Sequence, residues 1–265
     1  MFSICKRSNC SFIEWFGLFI IALLTVIATA LITIKQFNGV NQEMISTHYY
    51  TMMIPANFTF QIWALIYTSW ILLGMYQAYI SCSRISWIKR IREKIWGDMS
   101  MSKCSIITLS VVMCLTVLWL LTWHLSNIAL SLIIMSAILA VLSYWWYSDR
   151  SKSTKYASWV MELTTGWIIV AITANLGAFL VSADIVPDMI SHRMFVYMIG
   201  LPALTAAIGF FFYTRSQIAL GVLTWSILWL LSARSGESVI QIMLIILLII
   251  SVILNMFLGE KTIKI

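Results

Sequence analysis

The chain has 265 residues, of which 61% are hydrophobic and 10% charged, with a formal charge of +7. A soluble domain carries roughly 25% charged residues, so a water-soluble fold is excluded. Three prolines and no polar low-complexity stretch leave no room for a separate soluble domain or a long linker.

Eight apolar stretches follow in order, at 12–34, 58–80, 106–123, 127–146, 157–181, 194–213, 216–233 and 239–258. Each suits a hydrocarbon core about 30 Å thick, which needs roughly 20 helical residues. The expected fold is therefore all-α, a polytopic membrane bundle of about eight transmembrane helices. With the N-terminus inside, fourteen of the 17 Lys and Arg residues fall on the cytoplasmic side, and only Lys35, Arg193 and Arg234 lie outside. This bias follows the positive-inside rule and places both termini in the cytoplasm, with the cell membrane as the expected location. The net charge is then loop charge facing anionic lipid, so the bilayer is the expected partner and nucleic acid is not.

The first stretch contains Ala28-Thr29-Ala30, which resembles a signal-peptidase site. Its apolar run from Phe12 to Ile34 outlasts a signal h-region of about 7–15 residues, so a retained helix is expected. The 35–57 loop is long for a helix connection, since such links usually run about 2–8 residues. Its apolar second half, with Tyr49, Tyr50 and Pro55, suits either a lid over something buried or a loop resting on headgroups. In the second stretch Phe60, Trp63, Tyr67, Trp70, Gly74 and Gln77 are spaced three or four apart and share one helical face. The loop at 81–103 alternates Ile and Trp with Lys and Arg, as an interfacial amphipathic helix or an anionic-lipid sensor would.

Trp119, Trp123 and His124 stand near the outer end of the third stretch. In the fifth, Trp167, Ala171, Asn175 and Ala178 share a face whose small residues permit close helix approach. Converted to depth at about 1.5 Å per residue, Trp63, Tyr67, Trp119 and Asn175 fall in the outer half, with Trp167 near mid-membrane. Glu162 lies about 8 Å deep. It either turns back towards Lys155 or Arg150, or plays a buried polar role such as a proton path.

Four of the five cysteines (Cys5, Cys10, Cys82, Cys104) map to the cytoplasmic side, so no disulfide is expected. Palmitoylation of Cys5 and Cys10 is the other use for thiols so placed. The three histidines come from separate loops without metal-ligand spacing, so no metal site is expected. No close carboxylate pair or nucleophile–base motif points to an enzyme.

These residues also carry a resemblance. Pro55, Phe58, Phe60 and the run Ile62-Trp63-Ala64-Leu65-Ile66-Tyr67 resemble the opening of the second helix in the TspO/MBR tryptophan-rich sensory proteins. Trp119 resembles the tryptophan of that family's third helix, and Trp167, Val170, Ala171 and Asn175 match a run in its fifth. The resemblance covers roughly residues 12–181. It implies a five-helix core there and a three-helix extension at 194–258. Two positions depart from the family pattern. Thr116 stands where it has Asn, and Thr164-Thr165-Gly166 replaces a Pro-aromatic pair.

The resemblance implies an aromatic-lined intramembrane pocket for an apolar small molecule, such as a tetrapyrrole or a sterol, in a sensor or carrier. Trp63, Tyr67, Trp119, Trp167 and Asn175 would line or support it, under a lid of Tyr49, Tyr50 and Pro55. Porphyrin or haem would be a ligand, no cofactor being required, and a homodimer is compatible with the pattern. The alternative is a secondary transporter or channel for a polar solute, using Glu162, Asn175 and Gln77. Reporter fusions at Met1 and Ile265 should both read as cytoplasmic, and one within 182–193 as external. Termini on opposite sides would contradict the eight-span reading.

Overall fold

The computed structural model describes residues 12–34, 37–40, 42–82, 101–186, 188–234 and 236–263. The amphipathic helix expected at 81–103 falls mostly outside these residues. Ten α-helices occur among the described residues. They are α1 (Phe12–Ile34), α2 (Gln42–His48), α3 (Ile62–Cys82), α4 (Lys103–His124), α5 (Ile128–Ser148), α6 (Lys155–Ser182), α7 (Met189–Phe195), α8 (Leu201–Tyr213), α9 (Gln217–Ser232) and α10 (Ser238–Ile263). A π-helical turn, Val196–Gly200, joins α7 to α8, and 3-10 turns stand at Phe37–Gly39, Asn57–Gln61 and Arg150–Lys152. Seven helical stretches are long and apolar enough to cross a membrane, so the chain is a multi-pass membrane bundle. The seventh expected stretch is α9, whose 16 residues reach only about 24 Å.

The helix ends obey local chemistry. Ser102, Asn127 and Ser216 cap α4, α5 and α9, each accepting from the backbone N–H three residues on. The turn between α4 and α5 is three residues, Leu125 to Asn127, with Ser126 at φ 56°, which holds the two helices antiparallel. At the other end of the bundle Asp149 accepts from the hydroxyls of Ser102 and Ser105. Trp145 Nε1 donates to Ser105 Oγ at 3.1 Å. One buried carboxylate thus ties the start of α4 to the end of α5.

Helix α6 is central. It packs against α3 and α5 on one side and against α8 and α9 on the other, while α1 is set between α3 and α4. Gly166 explains how α9 comes so close: a Cβ there would lie 3.0 Å from Ala219 Cα. The Thr-Thr-Gly run therefore has a structural use. Thr164 Oγ1 accepts from Trp70 Nε1 at 3.2 Å, and Gly166 makes room for the extension. Lower on the same helix, Glu162 Oε1 pairs with Arg150 at 2.9 Å. Its Oε2 accepts from Ser216 Oγ at 2.7 Å. Glu162 thus turns to Arg150 while remaining buried, and the carboxylate fastens α6 to the start of α9.

Replacing Gly166 with Leu should force α6 and α9 apart, at a cost of about 1–3 kcal/mol for an overpacked contact. Gly209→Ala, where a Cβ meets nothing within 4 Å, is the control. Thermal unfolding in detergent should show a lower midpoint for the first and little change for the second.

Candidate functional site

The aromatic residues of α3, α4 and α6 meet. Trp63 stacks on Tyr67 (centroids 5.4 Å apart, 25° between planes) and on Trp119 (5.6 Å, 27°). Trp119 continues to Trp123 at 6.2 Å. Trp167 stands edge-on to both Trp63 and Phe60, each at 6.0 Å. Offset stacks and edge-to-face pairs are the arrangements the ring quadrupole favours, worth about 0.5–1.5 kcal/mol each beyond area burial. This array places Trp63, Trp119 and Trp167 in the core, each under a tenth exposed.

A cleft opens against the array, lined by Phe60, Trp63, Trp119, Trp123, Trp167, Val170, Ala171, Ala174 and Asn175. Gln42, Ser46, Ile54 and Pro55 close it from the loop. Four of the five expected pocket residues line it directly. Tyr67 does not. It backs Trp63 and Trp70, with ring centroids 5.4 Å from each, so it supports the array from behind. Asn175 Oδ1 accepts from Ser131 Oγ at 2.8 Å, which fixes the amide and leaves its NH2 as the donor available to the cleft. The indole N–H groups of Trp119, Trp123 and Trp167 are buried and have no acceptor in the structure. Buried donors without partners are rare enough to require an explanation. The cleft holds about 30 Å³ of space, room for two or three waters at about 10–15 Å³ each.

The segment expected to close the cleft, Tyr49 to Pro55, meets it at one end. Pro55 and Ile54 do close the cleft, but Tyr49 and Tyr50 do not line it. Tyr49 packs beside Ile45, Trp123, Ile128 and Ala178, and Tyr50 is 41% exposed at the rim. Their apolar rings are satisfied against neighbouring loop and helix ends, so they brace the lid instead of filling the pocket. Gln42 and Ser46 of α2, from the loop's polar half, take the lining positions. Beneath the lid, Gly177 of α6 provides the seat, since a Cβ there would lie 2.8 Å from Thr51 Oγ1.

The lid is held by a residue that sequence reading assigns only to loop charge. Arg234, just past α9, is 4% exposed. Its Nε donates to Met52 O at 2.7 Å, its Nη2 to Thr51 O at 3.3 Å and to Ile54 O, and its Nη1 to Tyr50 Oη at 3.0 Å and to Ala233 O at 2.8 Å. Its guanidinium also lies 5.5 Å from the Tyr50 ring centroid. Burial draws its pKa below the ordinary arginine range, opposed by Tyr50 and Glu237, yet a guanidinium stays charged. Hydrogen bonds from a charged donor contribute about 1.5–3 kcal/mol each, which offsets a desolvation cost of several kcal/mol. Only the separation of about 180 residues hid this contact.

The other polar groups are elsewhere. Gln77 Oε1 accepts from Met101 N at 3.4 Å, and Glu162 is about 20 Å from Asn175 along α6 by helical rise. His48 lies edge-on to Tyr49 at 4.6 Å, His124 Nδ1 bonds to Leu120 O at 2.9 Å, and His192 stacks on Tyr50 at 6.2 Å.

A family model described as TSPO-like protein matches residues 14–257. The match runs through α8, α9 and most of α10, so it takes in the extension as well as the first five spans. No curated protein and no solved structure matches the chain.

Proposed function

Because the chain belongs to the TSPO-like protein family, we propose that it binds a flat, apolar small molecule of tetrapyrrole or sterol type in the aromatic cleft, and serves as a sensor or carrier for it. The observation that carries this reading is the convergence of Trp63, Trp119 and Trp167 on one lidded cleft. Ordinary helix packing does not require three tryptophans around a gap. A planar ligand would replace part of the ring-to-ring stacking with its own face and bury apolar area.

The polar chemistry narrows the class. Three indole N–H groups and the Asn175 amide offer donors, so a ligand bearing acceptors at its edge fits better than a pure hydrocarbon. Protoporphyrin, with ring nitrogens and carboxylates, meets both requirements. A ligand of that size exceeds the closed cleft, so binding requires the lid to lift and the rings to part. Lids of this kind move on microsecond to millisecond timescales.

Tryptophan-fluorescence quenching by protoporphyrin in detergent tests the reading. Trp63→Ala or Trp167→Ala should weaken binding about tenfold or more, a loss of about 1.4 kcal/mol. Trp159→Ala is the control, since Trp159 is 40% exposed and contacts Lys155 away from the cleft. Equal losses from all three, or none from the first two, would remove the cleft as the binding site.

A further inference from the structure

While the lid is seated, nothing larger than a few waters fits the cleft. Exchange of a larger ligand therefore needs the 50–55 segment to move. That segment is seated on Gly177 of α6 and hydrogen-bonded by the helix-end residue Arg234. Arg234 bonds to Tyr50, Thr51, Met52 and Ile54, four of the five residues from 50 to 54. It is not itself a lining residue, so it acts on the cleft only through Ile54 and Pro55.

We infer that Arg234 is the latch of the cleft: a positioning residue that sets how fast a ligand enters and leaves, so that the carboxy-terminal helices govern access to a pocket lined from α3, α4 and α6. The inference rests on the cleft being a ligand site.

Three features support a latch over a permanent brace. All of Arg234's hydrogen-bond acceptors are neutral, four carbonyls and a phenol. The nearby carboxylate of Glu237 is engaged by Arg193, at 3.0 and 3.1 Å. A guanidinium leaving neutral acceptors at the rim is rehydrated by water, and no carboxylate is stranded behind it. The far end of the lid has its own anchor. Ala56 N donates to Trp229 O at 3.3 Å, and the Phe58 ring contacts Trp225 and Trp229 at 5.7 and 4.8 Å. Releasing Arg234 thus removes the polar hold on residues 50–54, leaving the packing of Thr51 on Gly177 and of Met53 on Gly200, while 56–58 stay attached to α9, which defines a hinge at Pro55.

The test uses the full chain in lipid nanodiscs and protoporphyrin as the probe. Stopped-flow fluorescence of Arg234→Gln should show association and dissociation both faster by about tenfold, with the equilibrium constant within about threefold of native. Arg234→Lys, which keeps the charge with fewer directed donors, should fall between. Tyr50→Phe removes one bond and should give a smaller acceleration in the same direction; it decides the matter if the glutamine variant does not fold. Hydrogen exchange without ligand is the independent readout. Peptides covering 50–54 should exchange about tenfold faster in Arg234→Gln, and those of α6 should not change. Native rates in both variants, or exchange rising equally in α6, would overturn the latch. Failure of native protein to bind protoporphyrin would instead remove the ligand reading, and the exchange measurement would then decide the latch alone.

Discussion

Inside a bilayer no water is present to satisfy a polar group, and apolar side chains gain nothing by leaving lipid for one another. Helix association then depends on close approach and on hydrogen bonds placed within the bundle. Helix α6 supplies both. Glu162 is fastened to Arg150 and Ser216, Thr164 to Trp70, and Asn175 to Ser131. Gly166 admits α9, and Gly177 seats the lid. Take α6 away and the array of tryptophans, the lid and the extension lose their common support.

That arrangement separates two jobs along one helix. The end near Glu162 is a structural fastening, with both carboxylate oxygens engaged. The end near Asn175 faces a gap, with donors that the protein does not satisfy. Polar residues in membrane helices are often read as one pathway. Here they sit about 20 Å apart, with the buried apolar Trp167, Ile168 and Val170 and the buried hydroxyls of Thr164, Thr165 and Thr173 between them.

The bundle was legible in the sequence because its signal is dense. Runs of about 20 apolar residues leave few alternatives, and the expected spans agree with the helices to within a few residues at most ends. Trp63, Trp119, Trp167 and Asn175 could be picked out because helical spacing and depth put them near one level and the family resemblance implies a pocket there. Tyr67 shares their face, but spacing alone cannot tell a lining residue from the one stacked behind it. Gln42 and Ser46 were missed because a polar loop segment gives no sign that it folds into α2 over an apolar cleft. Arg234 was missed for a different reason. A lone arginine after an apolar run reads as an interface charge, and only the fold brings it to Tyr50–Ile54. The Thr-Thr-Gly run read as a departure from a pattern, yet it accommodates Trp70 and α9.

The extension is therefore part of the working unit in this account. Its α9 lies on α6, and its Arg234 and Trp229 hold the two ends of the lid. The most direct test of the central claim is to locate a bound ligand. A protoporphyrin carrying a diazirine, activated by light in nanodiscs and mapped by peptide mass spectrometry, reports which residues surround it. The expected result is labelling within α3, α4 and α6 around Trp63, Trp119 and Trp167, abolished by excess unlabelled protoporphyrin. Labelling confined to the lipid-facing surface of α1 or α10, or unaffected by the competitor, would contradict a binding site in the cleft.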